Sequence, residues 1–237
     1  MKKSAFFFAA FCSGSLLVAS CNSDKAADST ATTTETTTSG DMAGMDHSAM
    51  GHDGAAAAGS SPQLVAMNEM MTKMHADKPK GNTDHDFAHH MLEHHKGAVA
   101  MADIELRDGK DATMRRMAEQ IKANQLQEIT ALEAAATRLD NAPTNYKPND
   151  PADPFTSQMK ASMDGMMQHM PKTVADPDMN FNMLMTVHHQ SAVDMAKAEL
   201  AHGKDTKLKE MAQQMITAQE KEIAEFKAWH QQNADKM

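Results

Sequence analysis

DHDFAHHMLEHHKGAVAMADIEL at residues 84–106 and DMNFNMLMTVHHQSAVDMAKAEL at residues 178–200 are two copies of one helix. At a constant offset of 94, Phe87, Met91, His94, His95, Ala98, Val99, Met101, Ala102, Glu105 and Leu106 recur as Phe181, Met185, His188, His189, Ala192, Val193, Met195, Ala196, Glu199 and Leu200. The match runs on without a gap through Gly109-Lys110-Asp111 and Gly203-Lys204-Asp205. It reaches Met117, Gln125, Glu128 and Ile129 against Met211, Gln219, Glu222 and Ile223. Such a repeat marks one supersecondary unit used twice.

Working outward, each unit reads as two helices. Asp84 and Asp178 are the expected N-caps of the first helix, Gly109 and Gly203 its expected left-handed stop, and Asp111 and Asp205 the caps of the second. So short a link makes an antiparallel helical hairpin, and two hairpins make a four-helix bundle. Met67, Met70, Met71 and Met74 share their spacing with Met163, Met166, Met167 and Met170, which predicts a short extra helix before each hairpin. Pro143, Pro148, Pro151 and Pro154 stiffen the crossover. No stretch alternates as a strand would, so the fold class is all-α. The helical domain spans 62–237, with repeat one at 62–139, the crossover at 140–154 and repeat two at 155–232.

The chain opens with Lys2 and Lys3 and an apolar run that is too short to span a membrane, and residues 1–20 read as a signal peptide. Val18-Ala19-Ser20-Cys21 resembles the lipobox of bacterial lipoproteins, which makes Cys21 the lipidation site and the membrane a partner through that anchor. Asn22 is not the aspartate that retains lipoproteins in the inner membrane, which points to a periplasm-facing position on the outer one. Residues 21–61 are poor in large apolar side chains and read as a disordered tether with a reach of roughly 35 Å. Loss of residues 1–20 takes Lys+Arg from 23 to 21 against 32 Asp+Glu, a net charge of −11. That surface repels phosphate backbones and argues against nucleic-acid binding.

Methionine is abundant, with 24 residues, and there are 13 histidines. Thioether specifies packing poorly, so a core this rich in it calls for a second reason. At about 100° per residue, Phe87, Met91, His94, Ala98, Met101, Ala102 and Glu105 fall in one stripe with His94 near its centre. Phe181, Met185, His188, Ala192, Met195 and Glu199 repeat it. His95 and His189 lie at the stripe edge, and His90 stands one turn before His94. His85 and His89, one turn apart, point nearly opposite, toward a solvated face or a weak chelating pair at the surface. Neutral imidazole with thioether suits copper, as Cu(I) or Cu(II), and needs no free thiol in an oxidising envelope. Met42, Met45, His47, Met50 and His52 interleave the same ligands in the tether, where there is no core to serve. The expected metal ligands are therefore His90, Met91, His94, His95, Met101, Met185, His188, His189 and Met195, together with these five. Acidification through about pH 6.5 is expected to release the histidine-held metal.

On the paired Phe…His-His…Ala…Met helices, the chain resembles the family called domain of unknown function 305, over about residues 84–230. The resemblance implies a secreted, ferritin-like helical bundle of two similar hairpins with the His-His pair as its hallmark; some relatives bind copper in the periplasm. The expected function is an envelope copper-binding protein for sequestration, resistance or metal chaperoning, and not an enzyme. Two alternatives stand beside it: a di-iron ferritin-like oxidase, for which the first unit has Glu105 and Asp108 where the second has Glu199 and His202, and a metal-free interaction module of the envelope.

Overall fold

The structure, a computed structural model, describes residues 61–236; the signal peptide, Cys21 and the Met/His tether lie outside that range. The described residues form six α-helices: α1 Pro62–Ala76, α2 Thr83–Asp108, α3 Ala112–Leu139, α4 Pro154–Gln168, α5 Pro177–His202 and α6 Thr206–Gln232. No strand occurs among the described residues, and none of their helices is long and apolar enough to cross a membrane. The molecule is thus an all-helical bundle. It has two long hairpins, α2–α3 and α5–α6, and a shorter helix ahead of each.

Helices α2 and α5 pack against each other at the centre, α1 lies on both, and α4 lies on α5. The central pair runs antiparallel. Asp84, at the start of α2, accepts the N–H groups of Lys204 and Asp205 on Oδ1 at 2.7 and 2.6 Å. Asp178, at the start of α5, accepts those of Lys110 and Asp111 at 2.9 Å each. The repeat is therefore also a spatial two-fold, in which each hairpin's link is held by an aspartate of the other hairpin.

This arrangement corrects the expected caps. Asn82 and Asp176, not Asp84 and Asp178, cap α2 and α5, accepting from the N–H groups of His85 and Met179. Asp84 and Asp178 sit inside the first turn, free to cap a neighbour. Asp111 and Asp205 do cap α3 and α6. Gly109 and Gly203 are not left-handed, with φ of −68° and −62°. Their bare Cα atoms receive a carboxyl instead: a Cβ at either would stand 2.1 Å from Oε1 of Glu105 or Glu199. The only positive-φ glycine among the described residues is Gly81 at 87°, before α2, where its carbonyl accepts the N–H groups of Asn145 and Tyr146 from the crossover.

The core is dominated by methionine, with thirteen buried against four leucines. Met70 of α1 sits so close over α2 that a Cβ at Gly97 would be 2.4 Å from its Sδ. Most thioethers here act as packing, and only those beside unsatisfied polar groups are candidates for anything else.

Candidate metal centre

His94 and His188 meet on the two-fold, where α2 crosses α5. Both are fully buried, and their ring centroids are 3.6 Å apart with the planes inclined at 32°. His188 Nε2 donates to the His94 carbonyl at 3.0 Å, which fixes the proton on Nε2 and leaves a lone pair on Nδ1. Among the described residues that Nδ1 has no hydrogen-bond partner, and neither ring nitrogen of His94 has one. Burial, reinforced by the surrounding imidazoles, holds both pKa values well below the ordinary 6.5. The rings are neutral at pH 7, the form that binds a metal ion.

His95 and His189 flank this pair and are also fully buried. His95 Nε2 donates to Glu128 Oε2 of α3 at 2.8 Å, and His189 Nε2 lies 2.8 Å from Glu222 Oε2 of α6. A carboxylate that takes the Nε2 proton leaves the Nδ1 lone pair for another partner. Among the described residues both Nδ1 atoms are without one, and His189 Nε2, for all its closeness to Glu222, makes no well-aligned hydrogen bond either. Sequence reasoning passed over Glu128 and Glu222 as ligand partners, although both stand in the repeat in register with the His-His pairs. They line a groove of about 460 Å³ between α3 and α6, together with the buried Gln125 and Gln219.

Among the described residues, no three His, Cys, Asp or Glu side chains converge on a common point. The central pair can thus give an ion at most two nitrogens. Met91 and Met185, each one turn before its histidine on the same face, are fully buried. Met101 and Met195 are buried too, but two turns from the pair, about 10 Å along the helix axis. His90, one turn before His94, lines a different cavity.

The other sequence candidates fall elsewhere. His85 does not face solvent: it is 3% exposed and its Nδ1 lies 2.7 Å from Asp86 Oδ1. Asp86 also accepts from the N–H groups of Lys80 and Gly81 and from the Tyr146 hydroxyl, so His85 is part of the knot that ties the crossover to α2. Glu105 and Glu199 lie eleven residues on opposite sides of the His crossing, about 30 Å apart along the central pair. They cannot share an ion, which removes the carboxylate set a di-iron site needs. Each is buried against Asp178 or Asp84, and desolvation raises its pKa to about 9. Met42, Met45, His47, Met50, His52 and Cys21 lie outside the described residues.

The profile of the family described as "Domain of unknown function (DUF305)" matches residues 17–136 and 84–230, so this chain belongs to that family. The structure is similar to one titled "CopM in the Cu(I)-bound form", with 23% identity, coverage of 63% of this chain and 96% of that one, and a TM-score of 0.48. It is likewise similar to CopM in the apo form, at 23% identity, 63% and 97% coverage and a TM-score of 0.49. A DUF305 fragment from Deinococcus radiodurans matches at 26% identity, with 64% and 97% coverage and a TM-score of 0.46. No curated protein matches the chain.

Proposed function

We propose that this chain binds copper as cargo in the bacterial envelope, sequestering it or passing it on, and catalyses no reaction. One observation carries the reading: His94 and His188 stack at the two-fold with neutral rings and three buried nitrogens that nothing among the described residues satisfies. A buried polar atom without a partner costs about 1–3 kcal/mol, and here the cost recurs on both sides of a two-fold. Packing alone would be served better by phenylalanine or leucine.

The donor set fits a soft ion. Two imidazoles with the thioethers of Met91 and Met185 suit Cu(I), and none of them has to lose a proton at neutral pH. Glu128 and Glu222 give the α3–α6 groove a negative wall through which a cation reaches His95 and His189, and then the central pair. In this reading Cys21 carries a lipid and holds the protein at the periplasmic face of a membrane. Met42, Met45, His47, Met50 and His52 collect copper loosely ahead of the bundle.

The test is a Cu(I) competition titration of the full chain and of the His94→Ala/His188→Ala variant against a chromophoric chelator. Loss of the tightest-bound copper in the variant supports the reading; equal uptake by both moves the site elsewhere. Uptake of iron with oxygen consumption would favour an oxidase.

A further inference from the structure

A second cavity, of about 300 Å³, lies between the end of α1, the start of α2, the crossover and α4. Three thioethers line it, Met74 from α1 and Met159 and Met163 from α4, one turn apart. Met74 and Met159 are buried and Met163 partly so, with Phe155, Tyr146 and Pro148 as apolar wall. The imidazole of His90 enters from α2.

Most polar groups of this cavity are already engaged, His90 and Asp77 being the exceptions among the described residues. The Tyr146 hydroxyl donates to Asp86, Lys160 pairs with Asp164 at 2.5 Å, and His75 Nδ1 lies 2.7 Å from the Met71 carbonyl. His90 Nδ1 is buried with no well-formed hydrogen bond among the described residues: the imidazole has only the Asp86 carbonyl, one turn back, and Asp77 Oδ2 at 3.7 Å beside it. Asp77, Asp86 and Asp164 make the surroundings negative, which favours a cation over an anion. Three sulfurs and one imidazole nitrogen form the donor set of a soft monovalent ion and suit a hard divalent ion poorly.

We propose that this cavity is a second soft-metal site, in which the His90 imidazole and the thioethers of Met74, Met159 and Met163 hold Cu(I) or Ag(I). It is distinct from the central pair and goes beyond the function argued above. The repeat itself argues that it is a specific feature: at the offset of 94, His90 corresponds to Leu184, so the two-fold that duplicates His94 and His95 does not duplicate this imidazole. An ion here takes ligands from both repeats, one from each of α1 and α2 and two from α4, at a single place that the two-fold does not copy. Its binding would tie the short helices α1 and α4 to the bundle.

Methionine methyl and histidine ring NMR signals of the full chain, followed as Ag(I) is added, test this site without interference from other ligands, because each signal is assigned to a residue. The Met74, Met159 and Met163 methyls and the His90 ring are expected to shift together, in the native chain and in His94→Ala/His188→Ala alike. His90→Leu, which copies the counterpart Leu184, should weaken the response of those methyls by about tenfold or more, since even outer-shell partners of metal ligands are worth about 10–100-fold in affinity. Signals that stay fixed while Ag(I) is taken up elsewhere overturn the proposal, as do methyls that respond identically in a folded His90→Leu. Should His90→Leu fail to fold, the native titration alone decides. If the central pair does not respond but these four residues do, the central reading fails and this site stands.

Discussion

Glu199 folds back onto Gly203 so closely that the glycine has no room for a Cβ, which would stand 2.1 Å from Oε1. Glu105 and Gly109 repeat the contact across the two-fold. Gly203→Ala is therefore expected to destabilise by about 1–3 kcal/mol through overpacking. At φ −62° alanine would otherwise be harmless or mildly stabilising, so the sign of the change is diagnostic. Thermal unfolding checks it. The penalty should shrink but not vanish in a Glu199→Ala background, which removes the colliding carboxyl and leaves the Glu199 backbone carbonyl 2.7 Å from the new Cβ.

The buried carboxyls set one slope of stability against pH. Glu105 and Glu199 titrate at about 9 in the fold, chiefly through desolvation, against an ordinary 4.5. The folded state therefore holds protons that the unfolded chain has released, and stability falls as pH rises from 4.5 toward 9, by at most about 1.4 kcal/mol per pH unit for each group. His94, His188 and His90 act in the other sense: their lowered values make the unfolded chain the better proton acceptor below 6.5, so stability falls on acidification. The two slopes oppose each other between 4.5 and 6.5. Above 6.5 the carboxyl slope stands alone, and the melting temperature should decline to pH 9. Glu105→Gln/Glu199→Gln should flatten that limb.

Asp84 has two separable roles, as acceptor for the link of the opposite hairpin and as a negative charge beside Glu199. Asp84→Asn keeps an acceptor oxygen and removes the charge. Carboxyl NMR titration should then find the Glu199 pKa moved down toward the ordinary range. Asp84→Ala removes the cap as well and should cost about 1–3 kcal/mol. An unchanged Glu199 titration in Asp84→Asn would contradict the coupling.

Most of the fold is legible in the repeat. The 94-residue offset yields two hairpins, the Met spacing yields α1 and α4, and Asp111 and Asp205 cap the helices that follow them. Asp84 and Asp178 look like local caps, and their true role depends on an antiparallel neighbour that no single segment reveals. Gly109 and Gly203 look like left-handed stops because glycine at a helix end has that meaning locally; what they accommodate is a side chain four residues back. For the site, periodicity places His94 and His188 inside. It misses His85, whose burial comes from the crossover folding over α2.

The depressed imidazole values also change when metal should leave. Release through about pH 6.5, expected of ordinary histidines, gives way to release at more acid pH, because His94 and His188 resist protonation. Copper bound by the bundle should survive dialysis at pH 6 and be lost only well below it. Loss centred at 6.5 would assign the metal to more exposed histidines.

The central pair is tested most directly by the ring nitrogen-15 signals of His94 and His188 as Cu(I) is added to the full chain. The account predicts that both move with the uptake of the first tightly bound copper, and that His94→Ala abolishes the shift at His188. Ring signals that remain in place while copper binds would contradict it.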